Sequence, residues 1–170
     1  MIEKPFTRNC TDEINFMKQT YLTLLHSVVI VICSIAQEAQ PFVKKSFVII
    51  QSTKKYSAAK LTAIKAASQL SQKLDLRELN PNKQTGLTFP EKDCENEGGY
   101  PCYIARGRFD DGDYVSIEWS NAINGFAKGY YVVVVGAGSK EETNTILKKA
   151  KNFYKTAYAK QVDVYIGCMH

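Results

Sequence analysis

Glu118 stands beside Trp119, the single tryptophan of the chain. A carboxyl group among apolar neighbours holds its proton to higher pH, which is the state a general acid needs. No partner carboxylate lies at a spacing diagnostic of an acid–base pair. Asp110, Asp111 and Asp113 crowd the stretch Asp-Asp-Gly-Asp, and with Glu118 they offer the hard oxygen ligands that calcium takes. The spacing is not that of an EF-hand loop, and Asp-Gly between two apolar runs is what a tight hairpin requires, so the turn is the preferred reading. Cys94, Cys102, Cys168 and His170 make a possible Cys₃His zinc set at spacings that fit neither a ribbon nor a finger. In an oxidising compartment Cys94 and Cys102 would instead pair across the short stretch Glu95–Pro101. Cys168 is able to pair with either, and Cys94–Cys102 is the favoured bridge. His26 falls in an apolar run and His170 in the tail, so no Cys–His or Ser–His dyad suggests itself. Gly136-Ala-Gly138 lacks the third glycine and the lysine of a phosphate loop. These counts expect a chain that works without metal or cofactor and is not an enzyme.

The remaining candidates are surfaces. Tyr165 is expected to face outward from a terminal strand, and Tyr103, Tyr114 and Trp119 to line a hairpin, together a platform for a sugar or peptide. Lys54, Lys55, Lys60 and Lys65 cluster about one helix and Lys148, Lys149, Lys151 and Lys155 about another. Such faces are usually just solvated, but they also attract acidic polymers or membrane surfaces. With 22 Lys+Arg against 17 Asp+Glu the 170-residue chain carries +5, well short of a dedicated nucleic-acid binder. Its 45% hydrophobic content leaves room for one packed domain and excludes disorder.

Elements to position these residues are legible in the pattern. Ser46–Gln51 reads as a strand, and Ser57–Leu74 as a helix with Leu61, Ile64, Ala67, Leu70 and Leu74 on one face. Leu76–Leu79 reads as a brief strand and Asn80–Pro101 as loop. Cys102–Phe109 and Tyr114–Trp119 read as two strands of a hairpin about Asp110–Asp113, followed by a loop, Ser120–Gly129. Tyr130–Gly136 is apolar without alternation, as in a strand buried on both faces. Ser139-x-x-Glu142 is a capping box that opens a helix continuing through Ile146, Ala150, Phe153 and Ala157. Gln161–Gly167 closes the chain as a strand with Val162, Val164 and Ile166 inward and Asp163 and Tyr165 outward.

The apolar run Leu22–Ala36 is too short for a membrane span and suits the core of a secretion signal. Small residues at Ser34 and Ala36 fit a cleavage after Ala36. The acidic residues Glu3, Asp12 and Glu13 do not belong in a signal, which places the expected translation start at Met17. The expected mature chain is residues 37–170, still at +5, with no stable membrane span.

Phe47–Leu70 and Tyr131–Phe153 repeat the order strand, turn, basic helix, each followed by another strand. The implied fold is α+β, a ferredoxin-like β-α-β-β-α-β with both helices on one face of an antiparallel sheet and an inserted β-hairpin. Tyr131-Val-Val-Val-Val-Gly136-Ala-Gly-Ser139-Lys-Glu-Glu142, and less closely Phe47-Val-Ile-Ile-Gln51-Ser52-Thr53, resemble the strand–turn–helix units of the SPOR-like domain. Gln51 takes the first glycine position of that family, and Thr53 and Gly138 stand where aromatics are usual. The segment 80–129 has no counterpart in the short family domain. Across YPCYIARGRFDDGDYVSIEWS the chain also resembles uncharacterised secreted proteins of Bacteroidetes-type bacteria. The SPOR-like resemblance implies a periplasmic or secreted module that binds peptidoglycan glycan strands, or an envelope protein, through the sheet face, with Gln51, Tyr103, Tyr114, Trp119 and Tyr165 as candidate contacts. A small hydrolase using Glu118 or one of Asp110, Asp111 and Asp113, and a structural envelope protein, are the alternatives. Which applies depends on whether the sheet face away from the helices is open or covered; if it is covered, the site moves to the loops 80–101 and 120–129.

Overall fold

The computed structural model describes residues 42–108 and 110–167. The expected secretion signal and the residues Cys168 and His170 lie outside them. Strand β1 (Phe42–Thr53) runs into helix α1 (Tyr56–Leu70), and a small hairpin follows, β2 (Asn80–Asn82) and β3 (Gly86–Thr88). The chain then forms β4 (Ser116–Trp119), β5 (Tyr131–Gly138), helix α2 (Lys140–Lys151) and β6 (Tyr158–Tyr165). Four strands make one sheet in the order β4-β5-β1-β6, every neighbouring pair antiparallel. Read along the chain, the sheet strands and two helices run β-α-β-β-α-β, the α+β arrangement that the repeat implies.

The second strand of that series is not where the sequence pattern puts it. Leu76–Leu79 is a turn in which Arg77 and Glu78 take positive φ, 56° and 55°. β4 holds the position instead, because Ser116–Trp119 pairs with Val134–Tyr131 of β5 rather than with residues 102–109. The expected hairpin is therefore not an insertion: its second half is part of the main sheet, and Cys102–Arg108 is irregular chain laid over it. The true excursion is the connection from α1 to β4, which holds the β2–β3 hairpin and two turns of 3-10 helix at 91–93 and 95–97.

α1 is rich in alanine and free of glycine and proline, which favours helix throughout. It stops at Ser71, in the left-handed region at φ 51°, with the N–H groups of Ser71 and Gln72 donating back to Ser68 O and Ala67 O. Its buried face is Ala59, Ala63, Ala66, Ala67 and Leu70. Leu61 and Ile64, expected on that face, are exposed; small side chains let the helix backbone lie close to the sheet, and the larger ones are turned away. α2 begins with the expected capping box, in which Glu142 N–H donates to Ser139 Oγ (3.2 Å) and Ser139 N–H to Glu142 Oε2 (2.9 Å). Ala150 of α2 and Ala157 beyond it are buried, whereas Phe153 lies past the helix end and is exposed. Gly136 of β5 faces α2: a Cβ there would stand 2.5 Å from Ile146 Cδ1, so only glycine admits the contact.

β5 is apolar throughout because both its faces are buried. Val133 and Val135 join Val48, Ile50 and the alanines of α1 on the helix side. Val132 and Val134 join Phe47, Ile49 and Val162 on the other, where Ile123 and Phe126 lie over them. The central part of the sheet face away from the helices is therefore covered by the loop after β4. In β6 Val162 is buried and Val164 half-buried, but Ile166 lies beyond the strand and is exposed. Among the described residues no helix is long and apolar enough to cross a membrane.

Candidate functional site

The polar side of β4 carries Ser116 and Glu118, both fully buried. A buried carboxylate without donors costs several kcal/mol, and Glu118 is supplied with three. Arg77 Nη1 stands 3.0 Å from Oε2 and 3.3 Å from Oε1. Tyr103 O–H donates at 2.5 Å and the backbone N–H of Arg106 at 3.0 Å, both to Oε2. The Tyr103 oxygen also accepts from the N–H of Trp119 (3.1 Å), while Arg77 Nη2 donates to Ile104 O (2.7 Å). Burial, then the charge of Glu118, pushes the Tyr103 hydroxyl well above the ordinary tyrosine range. The carboxylate fastens the irregular chain 103–106 onto the sheet, and its apolar surroundings, expected from the sequence, come with three donors directed at it.

Arg106 lies one step further in and is wholly buried. Nη1 donates to Tyr114 O (2.8 Å) and Ser116 Oγ (3.0 Å), and Nη2 to Gly112 O (2.6 Å). Its guanidinium stacks 3.6 Å from the Tyr114 ring centre. Burial pushes its pKa down, and Nε has no acceptor.

The sequence candidates lie in and around this knot. Tyr103 and Tyr114 are partly buried and engaged within the knot, Tyr114 also donating its hydroxyl to Asp110 Oδ2. Trp119 packs on Tyr131, ring centres 4.8 Å apart, and over Gly86, where a Cβ would come within 2.1 Å of the indole. Gln51 is paired with Val133, a residue of the helix-side core. Only Tyr165 stays at the surface, edge-on to Phe42 at 5.3 Å with Arg108 over its ring. Tyr103 and Tyr165 line one cleft, but the five do not share a single surface. Nor do the aspartates: Asp111 pairs with Lys45 (2.6 Å), and Asp110 receives Tyr114 and the N–H of Gly107. Cys94 and Cys102 form a disulfide (S–S 2.06 Å), which withdraws two of the four proposed zinc ligands. Among the described residues no group of three or more His, Cys, Asp or Glu stands where a metal could be held.

Among the described residues, concave surfaces lie on either side of the loop that carries Ile123 and Phe126. The first, about 240 Å³, lies on the sheet face away from the helices, where Ser52 of β1, Val132 of β5 and Tyr158 and Lys160 of β6 form the floor. Phe126 and Tyr130 wall it. Tyr158 is 47% exposed, and Lys160 Nζ is held at Gly125 O (2.5 Å) 5.4 Å above the Phe126 ring. Lys54 approaches the Tyr130 ring at 5.8 Å. The spacing Tyr158-x-Lys160 puts both on one face of a strand, a signal overlooked because the expected strand began at Gln161. The second, about 180 Å³, lies between residues 104–108, residues 122–124 and the end of β6, and holds Arg106, Arg108, Asp163 and Tyr165. Lysines 60, 65, 148, 149, 151 and 155 are all exposed on the helix side, away from both. No protein-family model, curated protein or solved structure matches this chain.

Proposed function

We propose that the protein is a non-catalytic binding module of the bacterial cell envelope, related to the SPOR-like domain, and that it takes a glycan strand in the groove between Tyr130 and Tyr158. The observation that carries this reading is the groove's chemistry: the accessible rings and hydroxyls of Tyr130 and Tyr158, the hydroxyl of Ser52 and one ammonium (Lys160) on a sheet floor. Sugars present alternating C–H and O–H faces, so they stack on aromatic rings and accept a few directed hydrogen bonds. The groove also lies on the sheet face that the SPOR-like resemblance assigns to glycan, beyond the part that Ile123 and Phe126 cover. Location outside the cytoplasm is supported by the Cys94–Cys102 disulfide, since such bonds persist in oxidising compartments.

Co-sedimentation with purified peptidoglycan sacculi tests the reading. Retention is expected at low and moderate salt, with Tyr130→Ala and Tyr158→Ala each lowering affinity about tenfold, the loss of one stacking surface. Absence of retention at low salt, or wild-type retention of the double variant, would overturn it.

A further inference from the structure

The helix side carries charges and apolar groups that the fold does not use. α1 buries Ala59, Ala63, Ala66, Ala67 and Leu70. Successive residues of a helix turn by about 100°, so Leu61 stands opposite that face, with Ile64 to one side of it and Lys65 to the other. Leu61 is 71% exposed and Ile64 half-exposed, and Lys60 and Lys65 are exposed beside them. α1 holds no acidic residue, and among the described residues neither lysine is in a salt bridge. α2 lies on the same side of the sheet: its Ala150 shares a core cluster with the alanines of α1, and Tyr154 just beyond it donates to Gln69 Oε1 of α1 (2.8 Å). That end of α2 carries Lys148, Lys149, Lys151 and Lys155 and the exposed ring of Phe153. Glu141 and Glu142 lie at its other end, Glu142 in the capping box. Lysines in a last turn suit a helix C-terminus, but Lys60 and Lys65 are mid-helix, out of reach of that effect. A soluble polyanion would be served by the lysines alone. Exposed leucine, isoleucine and phenylalanine among them gain only where the anions sit on hydrocarbon, as at a bilayer surface. Lysine suits that boundary too, its apolar stem lying low and its ammonium group reaching the headgroups.

We propose that the helix side docks on the surface of an anionic phospholipid bilayer, with Lys60, Lys65 and the lysines at the end of α2 at the headgroups and Leu61 and Ile64 among the outermost acyl carbons. The groove between Tyr130 and Tyr158 lies on the other face of the sheet, so a docked molecule turns it away from the lipid. The two sites are independent, and lipid docking needs no glycan.

Acyl-chain quenching tests this. In the full chain, Leu61→Trp places an indole on the docking face, and vesicles of phosphatidylglycerol and phosphatidylcholine brominated on their acyl chains quench an indole that reaches hydrocarbon. The readout is local, so the apolar run Leu22–Ala36 does not enter it, and the wild-type chain gives the contribution of Trp119 alone. Quenching of the Leu61→Trp chain is expected at low salt, with loss at high salt and much weaker quenching on brominated phosphatidylcholine alone. Adding Lys60→Gln and Lys65→Gln should raise the lipid needed for half-maximal quenching about 25-fold, roughly fivefold for each lysine. All three substituted side chains are exposed, so the variants keep the wild-type fold. No quenching beyond that of the wild type, equal quenching on neutral vesicles, or an unchanged midpoint in the lysine variant would overturn the proposal. So would lysine-dependent binding of soluble polyaspartate by a chain whose indole is not quenched, which would make the partner an acidic polymer.

Discussion

Arg77 and Glu118, 41 residues apart in sequence, meet as a buried ion pair with Nη1 3.0 Å from Oε2. One partner sits on a left-handed turn and the other on a short strand, so the pair joins the start of the long excursion to the sheet. Removing one member strands the other in low dielectric. Glu118→Gln is expected to lower unfolding free energy by about 3 kcal/mol in urea titration. Retention on sacculi by the folded fraction should be unchanged. Wild-type stability would show that the pair is not an anchor, and lost retention that Glu118 serves the ligand.

The Tyr103 hydroxyl, raised by burial and by the neighbouring carboxylate, makes stability depend on alkaline pH. In the unfolded chain it ionises near pH 10, while in the folded protein it stays protonated well above that. Stability is therefore full below about pH 10 and falls as pH climbs toward the folded value. Tyr103→Phe should be less stable at pH 8 by about 1–2 kcal/mol, through the lost hydrogen bonds, yet fall less steeply between about pH 10 and 11. Denaturant midpoints at stepped pH would check this; parallel curves for the two proteins would contradict it.

Gly86 sits at φ 75° directly beneath Trp119. An alanine there meets both the left-handed penalty and the indole, so Gly86→Ala should cost about 3 kcal/mol. Because Trp119 is the only tryptophan, a red-shifted fluorescence spectrum would report its displacement. An unshifted spectrum with wild-type stability would contradict the packing.

α1 allows a paired comparison. Ala63 is fully buried and Leu61 is 71% exposed. Ala63→Leu should destabilise by about 1–3 kcal/mol through overpacking, and Leu61→Ser should stay within about 0.5 kcal/mol of wild type. The opposite order would restore the face that leucine content alone suggests.

Closing an eight-residue separation, the Cys94–Cys102 bond is expected to contribute about 2–3 kcal/mol by restricting the unfolded chain. Comparing the Cys94→Ser, Cys102→Ser double variant with wild type under non-reducing conditions measures it. A difference below about 0.5 kcal/mol would mean that the loop is already confined when unfolded.

What the sequence disclosed follows what is local. The capping box at Ser139, the apolar strand at Tyr131–Val135 and the short bridge between Cys94 and Cys102 each depend on neighbours within a few residues, and each is present. On α1, Ala67 and Leu70 lie on the buried face as expected, whereas Leu61 and Ile64 do not, because hydrophobicity ranks leucine above alanine while closeness of approach selects alanine. The pairing of β4 was misread for a related reason. Asp110–Asp113 has hairpin chemistry, but Arg77 and Arg106 fix residues 103–106 over β4 by their polar groups, which no apolar period records. The aromatics followed suit: Tyr103, Tyr114 and Trp119 are drawn inward by that knot, and Tyr130 and Tyr158 are left at the surface.

The strand order β4-β5-β1-β6 also sets a timetable for synthesis. β1 is among the first described segments to be made, yet both strands that flank it come from residues 131–165. A nascent chain ending before Tyr131 carries the apolar stretch Phe47–Ile50 with neither side paired. Such a strip adheres to other strands when exposed. Pairing of β1 therefore waits until residues 131–165 have been made, and until then the order of synthesis leaves its apolar stretch to be kept apart from other strands by other means.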